Sequence, residues 1–352
     1  MKPVKKVALL HDLCGVGKAA MTNMLPVLSV MGIEACPIPT MLLSTHTGGY
    51  GKPAVARISP EYIKGCADHY CEQNVKFDMI FIGYLGNEEL AESVLYFVSC
   101  FPEAMVVFDP IMGDHGKYYS NFDTSYGEAL KKLIPCADLL LPNLTESCLL
   151  AGYPYAKELS RKDLKKICET LHDLGAKQLI ITSVPDGRSE KSILLFEQEM
   201  MTMLETTQLS AEFHGTGDAF DGVLIASILK GCSLKESMIE AHRFVYACME
   251  ESLKMEYEMV LRDYEKVIES APRFIYVYYN RGNLRCSQQD YRGAIADYTE
   301  AIRLRPDFGD AYYNRGLVYL KQGDTVKGTA DLSKAGELGV VAAYNLLKRM
   351  SD

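Results

Sequence analysis

Up to about residue 250 the chain alternates short apolar runs with amphipathic stretches. Val7–Leu10, Met79–Gly83, Met105–Phe108, Leu139–Leu141 and Leu179–Ile181 are apolar and bounded by polar or turn residues. The pattern predicts strands buried on both faces of a mainly parallel sheet. Between them, Leu90–Val98, Asp163–Leu174 and Ala219–Leu229 read as helices. Such alternation implies an α/β layered fold. Ligands of these sheets bind at the carboxyl ends of the strands, so the polar residues after each run carry the candidate chemistry.

After about residue 255 the pattern changes. Asn280-Arg281-Gly282 recurs as Asn314-Arg315-Gly316, and Tyr278-Tyr279 as Tyr312-Tyr313, each 34 residues on. Asp263, Asp297 and Asp331 keep the same step, as do Pro272 and Pro306. A 34-residue period of paired helices is the tetratricopeptide signature. Ala294, Tyr298 and Ala301 fit the packing of its second helix. Two full repeats are expected from near Phe274 and Phe308. A lone second helix, Met255–Ser270, precedes them, and a capping helix, Val340–Met350, follows. The chain therefore divides into residues 1–254 and 255–352. The repeats either stabilise the chain, pair two subunits, or grip a partner peptide on a concave face.

Composition narrows the classes. With 352 residues there is room for two domains, and 48% hydrophobic and 24% charged residues are ordinary for a globular protein. The net charge of -9 disfavours a nucleic-acid backbone as partner. No apolar run has the length of a membrane span. Met1–Lys6 is basic and leads into an apolar stretch, but His11 and Asp12 interrupt it too early for a signal peptide. The 11 cysteines include no C-x-x-C pair and read as free thiols of a cytoplasmic protein.

The most informative segment is His214-Gly215-Thr216-Gly217-Asp218-Ala219-Phe220. Glycines flank Thr216, and Asp218 opens an apolar helix. A helix start offers free N–H groups and partial positive charge, and glycines let an anion approach closely. Asp218 reads equally as a plain N-cap. Other polar sets follow apolar runs: Asp109 and Asp114, Asn143 and Glu146, Thr182 and Ser183. All can converge on one cleft, where carboxylates and an amide suit Mg²⁺, often through water. Gly15-Val16-Gly17-Lys18 imitates the end of a phosphate-binding P-loop. However, Asp12 stands where that motif needs Gly, and Ala19 where it needs Ser or Thr.

The ordered set resembles the ribokinase-like superfamily, and specifically its pyridoxal/pyridoxamine kinase branch. The matching pieces are His11–Gly17, Ser44-Thr45-His46-Thr47-Gly48-Gly49, Gly83-Tyr84-Leu85-Gly86, Asp109–Asp114, Asn143–Glu146 and Gly215–Asp218, within about residues 4–250. The resemblance implies a three-layer sandwich around a mainly parallel sheet, followed here by the all-α repeats. It implies pyridoxal kinase activity, which is ATP-dependent phosphorylation of the 5′-hydroxymethyl group of a vitamin B6 vitamer. Asp218 would accept the hydroxyl proton, with orientation as its larger contribution. The amides of Gly215, Thr216 and Gly217 would hold the transferring phosphoryl group. Asp109, Asn143 and Glu146 would arrange Mg²⁺ and its waters, with Asp109 and Glu146 as its ligands through water. Asp114, Thr182 and Ser183 would lie along the ATP phosphates. His46, Thr47 and Tyr84 would contact the pyridine ring, and His11 and Asp12 would read its substituents or brace their loop. A homodimer and a monovalent cation such as K⁺ are implied as well.

The chain departs from that pattern at one point. The related kinases continue with further structure, whereas Leu234–Ser252 here runs nearly straight into the repeats. Two rival readings stand: a hydroxymethylpyrimidine kinase of thiamine synthesis, and an inactive kinase serving as a repeat-based scaffold. Every expected catalytic position is filled, which argues against the second.

Overall fold

The structure, a computed structural model, describes residues 4–17, 19–46, 51–156, 158–185, 192–206 and 213–351. The chain divides into two compact units, residues 1–250 and 251–352. The first opens with β1 (Lys6–Val16), α1 (Met21–Val30), β2 (Glu34–Thr45), β3 (Val55–Arg57) and α2 (Pro60–Glu72). Then come β4 (Met79–Ile82), α3 (Leu90–Cys100), β5 (Met105–Phe108), a ribbon of β6 (Gly113–Asp114) and β7 (Lys117–Tyr118), and α4 (Thr124–Lys131). It continues through β8 (Leu139–Leu140), α5 (Leu144–Ala151), α6 (Arg161–Asp173), β9 (Leu179–Val184), β10 (Ser192–Glu197), β11 (Met200–Glu205) and α7 (Thr216–Leu229).

Nine strands form one sheet in the order β11-β10-β9-β8-β5-β4-β1-β2-β3. Neighbours from β2 to β9 run parallel, and the pairings β2–β3, β9–β10 and β10–β11 are antiparallel. The alternation of the strands explains the three layers. Ala8, Leu10, Ile80, Ile82, Val106 and Phe108 bury one face against α2 to α6. Val7, Leu9, Met79, Phe81 and Val107 bury the other against α1 and α7. From β1 the chain builds outward to β2 and β3 and then returns to β4 on the other side. The topological switch therefore lies between β1 and β4, and a ligand cleft is expected at their carboxyl ends.

Two expectations about strand ends are corrected. The first strand does not stop at Leu10: it runs through His11 and Asp12 to Val16, paired with β2 as far as Thr45. Thr182 and Ser183 lie inside β9 rather than after it. In both cases a polar residue was read as the end of a strand, although backbone pairing continues wherever the side chains find partners.

A helix of 37 residues, α8 (Leu234–Ser270), follows, and the expected boundary at 254/255 falls within it. The separate helices expected at Leu234–Ser252 and Met255–Ser270 are therefore one, because neither Gly nor Pro interrupts them. The second unit continues with α9 (Ile275–Ser287), α10 (Tyr291–Leu304), α11 (Gly309–Lys321), α12 (Thr325–Glu337) and α13 (Val341–Ser351). These are two helix pairs and a terminal helix. No helix among the described residues is long and apolar enough to cross a membrane, and the cysteines are free thiols.

The 34-residue period has a physical content. Arg281 forks onto Asp297 with N···O distances of 3.0 and 2.6 Å, and Arg315 forks onto Asp331 at 2.7 and 2.8 Å. Asp263, one period earlier, has Ala247 where that arginine would stand and pairs only with exposed Lys266. The arginine fork is therefore missing from this first, partial repeat, whose residues belong to the unbroken helix α8. Gly282 is small by necessity: a Cβ there would sit 2.7 Å from Cε1 of Tyr298, a ring only 1% exposed. Overpacking of this kind typically costs 1–3 kcal/mol, roughly, and the helix-propensity gain of Ala over Gly returns only about 1 kcal/mol. Gly282→Ala is thus expected to lower the denaturant midpoint of the second unit. An unchanged midpoint would show that the Tyr298 ring yields freely.

Candidate active site

The segment around Asp218 forms the turn and first coil of α7. Gly215 is the N-cap at φ 77°, a left-handed conformation that favours glycine, and Thr216 is the first helical residue. The first-turn N–H groups, those of Thr216 and Gly217 included, have no intrahelical acceptor. Among the described residues, nothing lies within 4 Å of where a Gly217 Cβ would be. Asp218 is not the N-cap. Its Oδ2 accepts the N–H of Ala20 at 2.7 Å, and Asn23 Nδ2 donates to the Gly215 carbonyl at 2.7 Å. The start of α1 therefore holds the turn from the side.

Opposite stand the polar residues after β5 and β8. Asn143 caps α5 in a reciprocal box: Glu146 N–H donates to Asn143 Oδ1 at 2.9 Å, and Asn143 N–H donates to Glu146 Oε2 at 2.8 Å. The other oxygen, Glu146 Oε1, accepts Met112 N–H at 3.1 Å, and Asn143 Nδ2 donates to the Gly113 carbonyl at 2.9 Å. Gly116 N–H donates to Thr145 Oγ1 at 3.0 Å. The Asp109–Asp114 segment is thereby fastened to the start of α5. Thr182 bridges to Asn143, which brings the end of β9 alongside, with Ser183 at φ 58°. Asp114 itself is exposed, its oxygens engaged by the N–H and ring of His115.

The cluster is acidic. Burial, then the charges of Asp221 and Glu146, push the Asp109 carboxyl well above its ordinary range. Burial pushes Glu146 up to about 8 despite the backbone N–H groups it accepts. Burial likewise raises Asp221 to about 7, although a hydrogen bond with Asp109 works against the shift. Asp221 is 4% exposed and its Oδ2 has no hydrogen-bond partner. Buried carboxylates that resist ionisation, one with an orphaned oxygen, are short of positive charge. Among the described residues no three metal-binding side chains form a closed cage.

The residues expected against the pyridine ring come from three strands: His11 and Asp12 lie in β1, His46 follows β2, and Tyr84 follows β4. Tyr84 accepts a hydrogen bond from Asn121 Nδ2 at 2.8 Å and packs its ring on Phe122. The His46 ring lies 5.1 Å from that of His214, beside the α7 turn. Thr47 lies outside the described residues. His11 does not face an open cleft: it is 1% exposed, with ring nitrogens directed at Asp12 and Asp218. Ala20, Asn23 and Asp221 complete the constellation without having been singled out in the sequence. Only Asp221 carried a signal, three residues after Asp218 and so on the same helix face.

Comparison with known proteins agrees with this architecture. Residues 19–261 match the family described as phosphomethylpyrimidine kinase, and residues 282–323 match a tetratricopeptide repeat. A candidate phosphomethylpyrimidine kinase of Bacteroides thetaiotaomicron, crystallised with pyridoxal, superposes with TM-score 0.64 at 35% identity, over 69% of this chain and 86% of that one. Pyridoxal kinase from Lactobacillus plantarum gives TM-score 0.67 at 28% identity, over 72% and 91%. A hydroxymethylpyrimidine/phosphomethylpyrimidine kinase of Haemophilus influenzae is 28% identical over 49% of this chain and 65% of its own. The chain spans between 42% and 65% of the length of the first curated relatives it matches. The family match alone covers more than two thirds of the residues, and the chain belongs to the phosphomethylpyrimidine kinase family, with a tetratricopeptide-repeat segment at its C-terminal end.

Proposed function

We propose that the chain transfers the γ-phosphoryl group of ATP to the 5′-hydroxymethyl group of a vitamin B6 vitamer. The observation that carries this reading is the meeting of Asp218 and the open α7 start with the carboxylates after β5 and β8. Asp218 accepts the hydroxyl proton as the oxygen attacks phosphorus. The amides of Gly215, Thr216 and Gly217 hold the charge on the phosphoryl oxygens, in a reaction governed mainly by positioning and charge stabilisation. Asp109 and Glu146 hold Mg²⁺ through water, since both Glu146 oxygens already accept backbone N–H groups. When bound, Mg²⁺ supplies charge neutralisation on the phosphates. Asn143 fixes the loop that carries Asp109, and Asp114, Thr182 and Ser183 line the phosphate path. His46, Tyr84 and Asp12 meet the ring, with Thr47 beside His46 in sequence.

The neighbour crystallised with pyridoxal, at 35% identity, supports a B6 vitamer as substrate. The family description and the Haemophilus relative support hydroxymethylpyrimidine as the second reading. The two separate in one assay: ADP release from Mg–ATP, with and without K⁺, on pyridoxal, pyridoxine, pyridoxamine and hydroxymethylpyrimidine. Turnover of a B6 vitamer is expected. Turnover of the pyrimidine alone would overturn the substrate, and no turnover with any compound would favour the scaffold.

A further inference from the structure

His11 is the one histidine buried within the site. Its ring stacks on Phe81 with centroids 6.0 Å apart and planes at 18°. Gly83 crowds its edge so closely that a Cβ there would lie 2.3 Å from Cδ2. The register of β1 against β2 shifts between His11 and Asp12. Successive residues normally point to opposite faces of a strand, but here both bring polar groups to one point.

Each ring nitrogen faces a carboxylate. Nδ1 lies 2.8 Å from Asp12 Oδ1, and Nε2 lies 3.3 Å from Asp218 Oδ1. Nε2 is buried and has no hydrogen bond of good geometry. The main-chain N–H of Asp12 also lies 2.8 Å from Nδ1, and that contact demands a bare nitrogen. The two contacts at Nδ1 exclude each other. A neutral ring has a single N–H, so one lone pair would be left against a carboxylate at close range. The doubly protonated ring meets both carboxylates with donors, so we take the contact with Asp12 Oδ1 as the one made. Burial opposes charge on the ring, but Asp12 and Asp218 outweigh it and push the His11 pKa up to about 10. The groups acting on it are Asp12 from β1 and Asp218 and Asp221 from α7, while β4 contributes the uncharged Phe81 and is followed by Gly83.

We propose that His11 is a resident cation that positions the catalytic carboxylate: Asp12 anchors the ring at Nδ1, and Nε2–H orients Asp218 Oδ1. With Oδ2 held by Ala20 N–H, Asp218 is gripped at both oxygens, and its remaining lone pairs are aimed at the substrate hydroxyl. In the transfer the hydroxyl oxygen bonds to the γ-phosphorus. The bond from that phosphorus to the bridging oxygen breaks, and its electron pair leaves with ADP. The hydroxyl proton passes to Asp218 and then to water, while both His11 protons stay in place. His11 is a positioning residue, and it contributes the positive charge that the three carboxylates around it, Asp12, Asp218 and Asp221, otherwise lack.

The assignment rests on Asp218 acting as the base, so two readouts are needed. The first requires no turnover. In the full chain labelled with ¹⁵N-histidine, the resonances lost in His11→Gln identify the ring. They are expected to show both nitrogens protonated at pH 7.5 and no titration near the ordinary histidine value of about 6.5. A neutral-ring signature at that pH overturns the proposal, whatever the substrate. The second readout is the split between kcat and KM in His11→Gln. A group that aims the proton acceptor acts in the transition state, so kcat is expected to fall about tenfold or more while the KM values for ATP and the vitamer stay within a few-fold. A kcat close to wild type, or a loss shared by KM, would make His11 merely structural and overturn the proposal. If wild type turns over none of the compounds, the functional reading fails, and the nitrogen signature still decides the charge of His11.

Discussion

Asp218→Asn is expected to lower kcat by about 10²–10⁴-fold, the usual worth of a positioned general base, with ATP affinity within a few-fold of wild type. The substitution is nearly isosteric. The amide oxygen of Asn can still accept the Ala20 N–H that now meets Oδ2, so the α7 turn keeps its tie to α1. The group that takes the hydroxyl proton and the partner of His11 Nε2 are both lost. On the proposed reading the phosphates would meet the amides of the turn, Asp114 after β5, and Thr182 and Ser183 of β9, none of which is altered. The effect should therefore fall on kcat, with little on the KM for ATP. Steady-state kinetics with a B6 vitamer, alongside nucleotide binding by calorimetry, checks both halves. A folded variant with near-normal kcat would remove Asp218 from the chemistry.

The second large effect belongs to the repeats. Asp297→Ala is expected to destabilise the second unit by about 3–5 kcal/mol, the range for breaking a buried ion pair from one side. Asp297 is 3% exposed and accepts three charged hydrogen bonds, two from Arg281 and one from Arg285 at 2.8 Å. Removing it strands the largely buried Arg281 guanidinium and leaves Arg285 with only Asp290 at 3.8 Å and the Gly293 carbonyl at 3.5 Å. The period supplies internal controls. Asp331, at 8% exposure, holds only Arg315, so Asp331→Ala should cost less. Asp263 pairs on the surface with Lys266, and Asp263→Ala should cost no more than about 1 kcal/mol. Urea unfolding followed by circular dichroism should rank the three in that order. An Asp297 variant no weaker than the Asp263 variant would show that the repeated fork contributes nothing to stability.

The cost and the function sit in different kinds of group. In the repeats, carboxylates are matched by arginines and serve packing. In the first unit, Asp109, Glu146 and Asp221 are buried with little opposing charge, and their proton affinity rises accordingly. An unmatched buried charge is costly, and such cost tends to be retained where chemistry uses it.

Much of this was legible in the residues. The apolar runs located β4, β5, β8 and the core of β9, because a strand buried on both faces has no polar position to spare. The period of 34 located the helix pairs, because each repeat must present the same packing surface to its neighbour. Asn143 and Glu146 were legible as a polar pair three apart after an apolar run, and the capping box they form is what the structure adds. What the sequence alone determined, then, is whatever depends on spacing along the chain: strand cores, helix cores and the repeat. What only the tertiary structure decided depends on groups distant in sequence. The roles of His11 and Asp12 are of this kind, since the β1–β2 register shift and the arrival of Asp218, more than 200 residues later, turn an apparent strand end into a buried charged pair. The same holds for Ala20 and Asn23, whose contributions are a main-chain N–H and a side-chain amide that gain meaning only when α7 packs beside α1. Periodicity records which face a residue takes, and the partner it meets there is set by how the sheet orders its strands.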